Sequence, residues 1–592
     1  MGRMKPAILT FTASGAATAS RIAALTGGTV YACGPSGEDA RALLPRLFRE
    51  GTPITGICAA GILIRLLAPL LSDKHSEPPV IAVSQDGAHV VPLLGGHHGA
   101  NRLARKIAAG LGGSAALTTA SDSHFAFGLD EPPEGWLLES PGAVKSAMAA
   151  LLGSASIALE GDAPWLAEAG YPIVSDGIVK VVAGESTTLA ADLIYRPKTL
   201  IAGVGCERGT SAEEVIGLIE STLAEAHLSP LSLAAVATVD IKADEPAIHA
   251  AAAHFSVPAR FLTVAELDLE RSRLANPSAA VEAEIGTPSV AEAAALKAGA
   301  LVVPKRKSAR ATCAIGHAET PIDPRTLGRA RGTLHLVGIG PGDVPSRTAS
   351  ATAALECSTD WVGYGLYLDL IADLRSAQQD HRFGLGDEEP RVRHALELAA
   401  TGKTVALVCS GDAQIYAMAT LVYELLDATG SRAVSDAARR VAIETHPGIS
   451  AFQMASARTG ALIGHDFCCI SLSDLLTPRD VILSRLKAAA EGDFVVALYN
   501  PRSGRRTELL DEARRIFLAH RPSETPVIIA RDLGRPDEQC RVAMLATFDP
   551  ETVDMLTIVL IGSSTSQTFA RGDGSTVAYT PRGYAKKAEA AE

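Results

Sequence analysis

The sequence predicts an α/β protein built from several doubly wound domains. Two observations carry that expectation. Short runs rich in Val, Ile and Leu alternate with Ala-rich runs of helical character along most of the chain. Hydrophobic residues make up 47% and charged residues 20%, enough for each domain to bury its own core. A length of 592 residues corresponds to about four domains at roughly 150 residues each. Aromatic residues are only 4%, so the cores are expected to consist of Ala, Val, Leu and Ile.

The elements follow in order. Ala7–Phe11 reads as a strand and Ser14–Leu25 as the helix after it. Ile54–Ala59 starts another unit, and Gly61–Leu71 is helical. Val80–Val83 and His89–Pro92 form a hairpin around Asp86-Gly87, and Asn101–Leu111 is a helix. The Pro/Glu/Gly-rich stretch Asp130–Gly135 marks a first boundary. Leu200–Val204 opens afresh as a strand before the helix Ser211–Ala226, and Leu233–Thr238, Pro246–His254 and Ala300–Pro304 continue the alternation. Glu319–Arg331 has two prolines, several charges and no apolar period, so it reads as a linker. Thr333–Ile339 is then a clean apolar strand. The expected domains are 1–125, 126–198, 199–318, the linker 319–331, and 332–584, with a polar, frayed tail from Tyr584 to Glu592.

Charge and cysteine usage narrow the setting. Lys plus Arg is 54 and Asp plus Glu is 66, a net charge of −12, which disfavours non-specific nucleic-acid binding. A local basic cleft for a polyanionic small molecule remains compatible with that charge. Nine scattered cysteines without a C-x-x-C pattern read as reduced thiols. The apolar run in the opening MGRMKPAILTFT is too short for a signal peptide, and Pro6 stands where a myristoylation motif wants Ser or Thr. Gly56–Leu71 is interrupted by Arg65 and is too short to span a bilayer. A soluble cytoplasmic protein without membrane contact is expected.

The densest set of motifs lies in the last third. Strand Thr333–Ile339 runs into Gly340-Pro341-Gly342-Asp343. Val405–Cys409 ends in Ser410-Gly411-Asp412-Ala413-Gln414-Ile415-Tyr416, and Ile443–Thr445 runs into His446-Pro447-Gly448-Ile449-Ser450-Ala451. Val495–Leu498 ends in Tyr499-Asn500-Pro501, and Thr557–Ile561 in Gly562-Ser563-Ser564. A single glycine-rich turn is weak evidence, but ligands of open α/β sheets bind beyond the carboxyl ends of strands, so these polar ends are expected to face one cleft.

This ordered set resembles the tetrapyrrole methylase family over about Gly332–Tyr584. The resemblance implies a two-lobed α/β fold, usually a homodimer, with S-adenosyl-L-methionine pinched between the lobes. Carried over, Ser410, Gly411, Asp412, Ile415, Tyr416, Ser450, Ala451, Tyr499 and Asn500 would line the donor site, with Gly340 and Pro341 in the glycine-rich loop that faces the macrocycle. Trp361–Gly365, Arg393–Ala399, Asp412–Tyr416, Leu498–Pro501 and the ending Tyr579–Tyr584 resemble in particular the precorrin-3B C-17-methyltransferase family, and Ala413-Gln414 departs from its common pattern. That family methylates C-17 of a cobalamin precursor and contracts the ring.

Sulfonium methyl transfer asks mainly for alignment, whereas ring contraction asks for a base near the C-20 hydroxyl. Asp343 is the first candidate base; the alternative is an Asp that caps its own loop. His446 is the second; the alternative is a histidine satisfied by its neighbours.

In the first half, the runs Gly61–Lys74, Val91–Asn101 and Thr118–Asp122 stand out, with Gly95-Gly96-His97-His98-Gly99 before a helix. They are followed by Gly203–Ser211, Thr238–Glu245 and Gly286–Leu296. Together these runs resemble the cobalt-precorrin-5A hydrolase family over about Pro6–Ala318, most weakly around Pro132–Lys198. That family opens a δ-lactone and releases acetaldehyde. His97 or His98 would activate water, and Arg65, Lys74 or Arg208 would hold peripheral carboxylates. A glycine turn with exposed histidines is the plainer reading of the loop, and a solvated ion pair the plainer reading of Asp240 and Lys242. No third ligand follows His97-His98 at zinc spacing, so no metal is expected.

The function expected is therefore a bifunctional corrin-ring enzyme acting on a precorrin. The alternatives are an active methylase with a non-catalytic tetrapyrrole-binding first half, or a methylase for another substrate; the acidic charge argues against RNA.

Overall fold

The computed structural model describes residues 5–34, 37–73, 77–118, 124–503 and 507–584, the side chain of His97 apart. The chain divides into two compact units, Met1–Gly328 and Arg329–Glu592. No described helix is long and apolar enough to cross a membrane.

The N-terminal unit holds three sheets. The first combines β1 (Ala7–Thr10), β2 (Thr29–Ala32), β3 (Ile54–Ile57), β4 (Val80–Val83), β5 (His89–Leu94) and β6 (Ser114–Ala115) in the order β2-β1-β3-β4-β5-β6. β1 to β4 are parallel, and β4 and β5 form the antiparallel hairpin over Asp86-Gly87. The second has β7 (Trp136–Leu138), β8 (Ile157–Gly161), β9 (Val179–Ala183) and β10 (Leu193–Pro197) in the order β7-β10-β9-β8. The third has β11 (Leu200–Cys206), β12 (Leu233–Val239), β13 (Ala259–Leu262), β14 (Ala300–Lys307) and β15 (Ala311–His317) in the order β13-β12-β11-β15-β14.

Alternation along the strands explains the double winding. In β11, Leu200, Ala202 and Val204 join one core while Ile201 joins another on the opposite face. The middle sheet departs from the expected aliphatic composition. Its core gathers Phe125, Phe127, Trp136, Trp165, Tyr171 and Tyr195, with Trp165 edge-on to Tyr195 at 4.9 Å. Few aromatics in the chain as a whole did not mean few in each core: a short four-stranded sheet fills its volume with large rings.

The segment expected to be a linker is folded onto its neighbours. Leu327 is buried, and Arg260 donates to the carbonyls of Leu327 and Gly328 at 2.6 and 2.8 Å. Further along, Arg331 donates to the Arg440 carbonyl at 2.8 Å. Prolines and charges are compatible with packing when buried arginines supply the backbone with donors.

The C-terminal unit has two lobes. In the first, β16 (Thr333–Gly338), β17 (Asp360–Tyr364), β18 (Gln379–Phe383), β19 (Thr404–Cys409) and β20 (Ala442–His446) form an all-parallel sheet, β18-β17-β19-β16-β20. Leu334 and Leu336 pack towards helix Glu388–Ala400, and Val337 towards helix Ala349–Cys357. After the short β21 (Gly460–Ala461), the second lobe has β22 (Phe467–Ser471), β23 (Val495–Tyr499), β24 (Pro526–Arg531), β25 (Gln539–Met544) and β26 (Thr557–Ile561) in the order β22-β23-β26-β24-β25. Only β22 and β23 are parallel there. β27 (Gln567–Ala570) and β28 (Thr576–Tyr579) complete a small sheet with β21.

Candidate functional site

Three loops leave the carboxyl ends of the neighbouring parallel strands β19, β16 and β20, and glycine lets them touch. Gly340 N–H donates to the Gly411 carbonyl at 3.1 Å, and Gly411 N–H donates back to that of Gly340 at 2.7 Å. Both glycines have left-handed backbones, with φ of 75° and 68°. A Cβ on Gly338 would lie 2.6 Å from the Gly411 oxygen. One on Gly448 would lie 2.5 Å from the Gly338 oxygen and nearer still to that of Gly411. Asp412 clasps the set: Oδ1 accepts from Gln414 N–H at 2.8 Å and Oδ2 from Gly448 N–H at 3.1 Å. Pro341 is buried within the first loop.

The loop after β19 then reaches the second lobe. Ile415 packs against the core that contains Phe452 and Ala497. Tyr416 OH donates to the Cys469 carbonyl of β22 at 2.9 Å, and its ring lies 5.1 Å from that of Tyr499. Asn500, at the end of β23, donates from Nδ2 to Ser471 Oγ at 3.0 Å. Tyr416 and Asn500 are both non-glycine residues at positive φ, 52° and 49°. Such backbones cost of order 1–3 kcal/mol each and cluster where structure serves a ligand. Ser450 caps helix Ala451–Thr459, its N–H bonded to Gln453 Oε1 at 3.0 Å.

The residues named for the donor thus converge from both lobes. A Cβ on Gly411 would make ordinary contact with Ser450 Cα, at 3.8 Å. Backbone amides, two phenol rings, a serine and a side-chain amide form a donor set that fits a nucleoside joined to an amino acid. Burial pushes the Tyr499 phenol up, and pushes the Cys409 and Cys469 thiols up to about 11. Those groups stay protonated at neutral pH, so the site offers shape and hydrogen bonds, not a nucleophile.

Asp343 does not cap its own turn. Its Oδ1 is buried without a protein partner, and it stands over Gly534, where a Cβ would come within 2.9 Å of that oxygen. Gly534 has φ of 70° and lies in the turn after β24. Its N–H donates to Glu538 Oε2 at 2.7 Å, and Glu538 pairs with Arg458 at 2.6 Å, which anchors the turn to helix Ala451–Thr459. Arg535 runs beside Gly342, and the Nε atoms of Arg347, Arg391 and Arg535 are buried without an acceptor. The sequence reading missed this turn. Its signal was a strand running into Asp532-Leu533-Gly534-Arg535-Pro536, a glycine between charges at a strand end.

His446 has its Nδ1 2.7 Å from Ser350 Oγ and its Nε2 3.0 Å from His335 Nδ1, so its two nitrogens face a hydroxyl and a second imidazole.

In the N-terminal unit, His98 is exposed on the short turn Gly96–His98, between Gly95 and Gly99 at φ of 73° and 89°. The His97 side chain, Lys74 and Thr119–Asp122 lie outside the described residues. Arg65 is exposed on the first sheet's helix Ala60–Leu67. Arg208 stands instead at the end of the third sheet's β11, paired with Asp244 at 2.6 Å. Lys242 is buried at the end of the short turn Asp240–Lys242 that follows β12.

Comparison with known proteins agrees with this division. Residues 333–549 match the Tetrapyrrole (Corrin/Porphyrin) Methylases. Residues 42–122 match the Cobalamin synthesis G N-terminal family, and residues 200–316 the Cobalamin synthesis G C-terminus family. The chain is 41% identical over 257 residues to Cobalt-factor III methyltransferase of Priestia megaterium, covering 43% of this chain and 46% of that protein. It is 40% identical over 254 residues to Precorrin-3B C(17)-methyltransferase of Sinorhizobium sp, covering 43% of this chain and 98% of that protein. Among solved structures, the methyltransferase CobJ is 37% identical, covering 42% of this chain and 100% of that one, with a TM-score of 0.39. The chain spans about half the length of the first of these relatives.

Proposed function

This chain belongs, through its C-terminal unit, to the tetrapyrrole methylases, and from that premise we propose that the unit methylates C-17 of precorrin-3B, or of its cobalt-bearing counterpart, and contracts the ring to the precorrin-4 level. S-adenosyl-L-methionine supplies an activated methyl group when bound. Ser410–Asp412, Ile415, Tyr416, Ser450, Ala451, Tyr499 and Asn500 would hold it and align it with the carbon nucleophile. The observation that supports the substrate class is Arg535, which runs beside Gly342 of the Gly340–Asp343 loop with its Nε buried and without an acceptor. Guanidinium groups suit the peripheral carboxylates of a precorrin. Asp343 would remove the proton from the C-20 hydroxyl as the carbonyl forms.

The N-terminal unit, whose two end segments match the cobalamin synthesis G families, would open a δ-lactone on a later intermediate and release acetaldehyde. The protein would work in the cytoplasm, in keeping with nine free cysteines, as a homodimer through the methylase unit. Incubating the full chain with precorrin-3B and the methyl donor, then measuring product masses, tests the first activity. A product with one added methyl and a contracted ring is expected. Unchanged substrate would refute the proposal. Acetaldehyde release from a cobalt-precorrin-5A substrate tests the second, and its absence would leave the N-terminal unit as a binding module.

A further inference from the structure

A separate cluster lies on the face of the first lobe's sheet that helix Ala349–Cys357 covers. His335 of β16 and Glu444 of β20 are register partners, and His446 follows two residues later on the same face. His335 Nδ1 lies 3.0 Å from His446 Nε2 and 3.5 Å from Glu444 Oε2. All three ligand atoms lie within 4.8 Å of one another. A tetrahedral ion with bonds of about 2.0–2.1 Å spaces its ligands by about 3.3 Å, between the two separations seen here.

The second nitrogen of each ring faces the helix. His446 Nδ1 lies 2.7 Å from Ser350 Oγ, and His335 Nε2 lies 3.7 Å from Cys357 Sγ. With the far nitrogens held by Ser350 and Cys357, His335 Nδ1 and His446 Nε2 face each other across 3.0 Å, where either a proton or a cation can join them. Glu444 adds negative charge at the same point, and its side chain is 57% exposed while that of His335 is 7% exposed. The three ligands are therefore held from the protein side, with water able to complete the fourth position. Outer partners on the far nitrogens are what orient metal-binding histidines elsewhere.

We infer that His335, Glu444 and His446 form a binding site for one borderline divalent transition ion, of the Zn²⁺, Co²⁺ or Ni²⁺ class, with Ser350 and Cys357 orienting the two rings. Two imidazoles and one carboxylate suit these ions better than Mg²⁺ or Ca²⁺, which favour oxygen alone. The site requires neither the methyl donor nor a tetrapyrrole, so it stands apart from the activity proposed above.

The test uses the full chain, stripped with a chelator and titrated with Co²⁺. Visible absorbance reports tetrahedral ligation, and elemental analysis counts the bound ion. One equivalent per chain with tetrahedral bands is expected. Glu444→Gln, at an exposed side chain that should not disturb folding, should weaken binding by about tenfold or more. His446→Gln should abolish the bands, with circular dichroism to check the fold, and His98→Gln should leave them intact. No bound equivalent in the wild-type chain would overturn the inference, because a proton then bridges the imidazoles. Wild-type affinity in both Glu444→Gln and His446→Gln would overturn it too, as would loss of the bands in His98→Gln.

Discussion

Two glycine-rich segments, one in each unit, look alike in sequence and are built for different reasons. In the C-terminal unit, Gly338 and Gly448 are glycines because a neighbouring backbone occupies the place of a side chain. The three loops there form one body, and Asp412 closes it. In the N-terminal unit, Gly95 and Gly99 turn the chain through left-handed conformations; Gly95 also lies against the Pro78–Pro79 backbone, while a Cβ on Gly96 would meet only Asn101 Nδ2 at 3.9 Å. The first segment is a packed body of three loops. The second is a turn that displays His98 to solvent. Glycine spacing alone does not separate a close approach from a sharp bend; what lies against the missing Cβ does.

The largest effect is expected at Gly448. Gly448→Ala should force the loops after β16 and β19 apart and weaken donor binding by ~100-fold or more, because a clash with backbone has no cheap relief. Calorimetric titration of the full chain with S-adenosyl-L-methionine measures this. Wild-type affinity would mean that the three loops do not act as one body.

Asp343→Asn probes the same scaffold at its far end. It keeps the size of the side chain over Gly534 while deleting the base. Donor affinity should hold, and the contracted product should form ~100-fold more slowly. Contraction at the wild-type rate would reduce Asp343 to a loop residue.

Two smaller effects sharpen the contrast within the histidine turn. Gly95→Ala must strain a backbone at φ of 73° and press a methyl group 2.7 Å from Pro79 N, so a loss of about 1–3 kcal/mol in unfolding free energy is expected. Gly96→Ala should change it by less than about 0.5 kcal/mol. Equal costs at the two positions, measured by denaturant unfolding, would show that the strained backbone and close contact at Gly95 carry no weight.

Much of the site was legible from residues alone, for a physical reason. The candidates after β16, β19 and β23 follow apolar runs that read as buried strands, and parallel strands deliver their carboxyl ends to one side of a sheet. Ser410–Tyr416 and Tyr499–Asn500 could therefore be grouped before their lobes were seen. Asp343 was legible as a loop end, but not Gly534, which faces it from 191 positions along the chain. The pairing of His446 with His335 was equally hidden. It depends on β16 lying beside β20, and strand order does not follow chain order. The buried state of Lys242 and the aromatic middle core depend in the same way on what packs from elsewhere.

The amino-acid sequence by itself determined the α/β class, the run of strand-end loops and the two-part organisation, because periodicity, glycine and burial preference are local properties of the chain. The tertiary structure decided which loops share a surface, which carboxylate is a clasp and which stands over an open turn, and which histidines meet. Those outcomes depend on strand order and on close approach between distant backbones. Asp412 and Asp343 each follow a glycine at a strand end, yet only the fold gives one two backbone donors and leaves the other's buried oxygen without a partner.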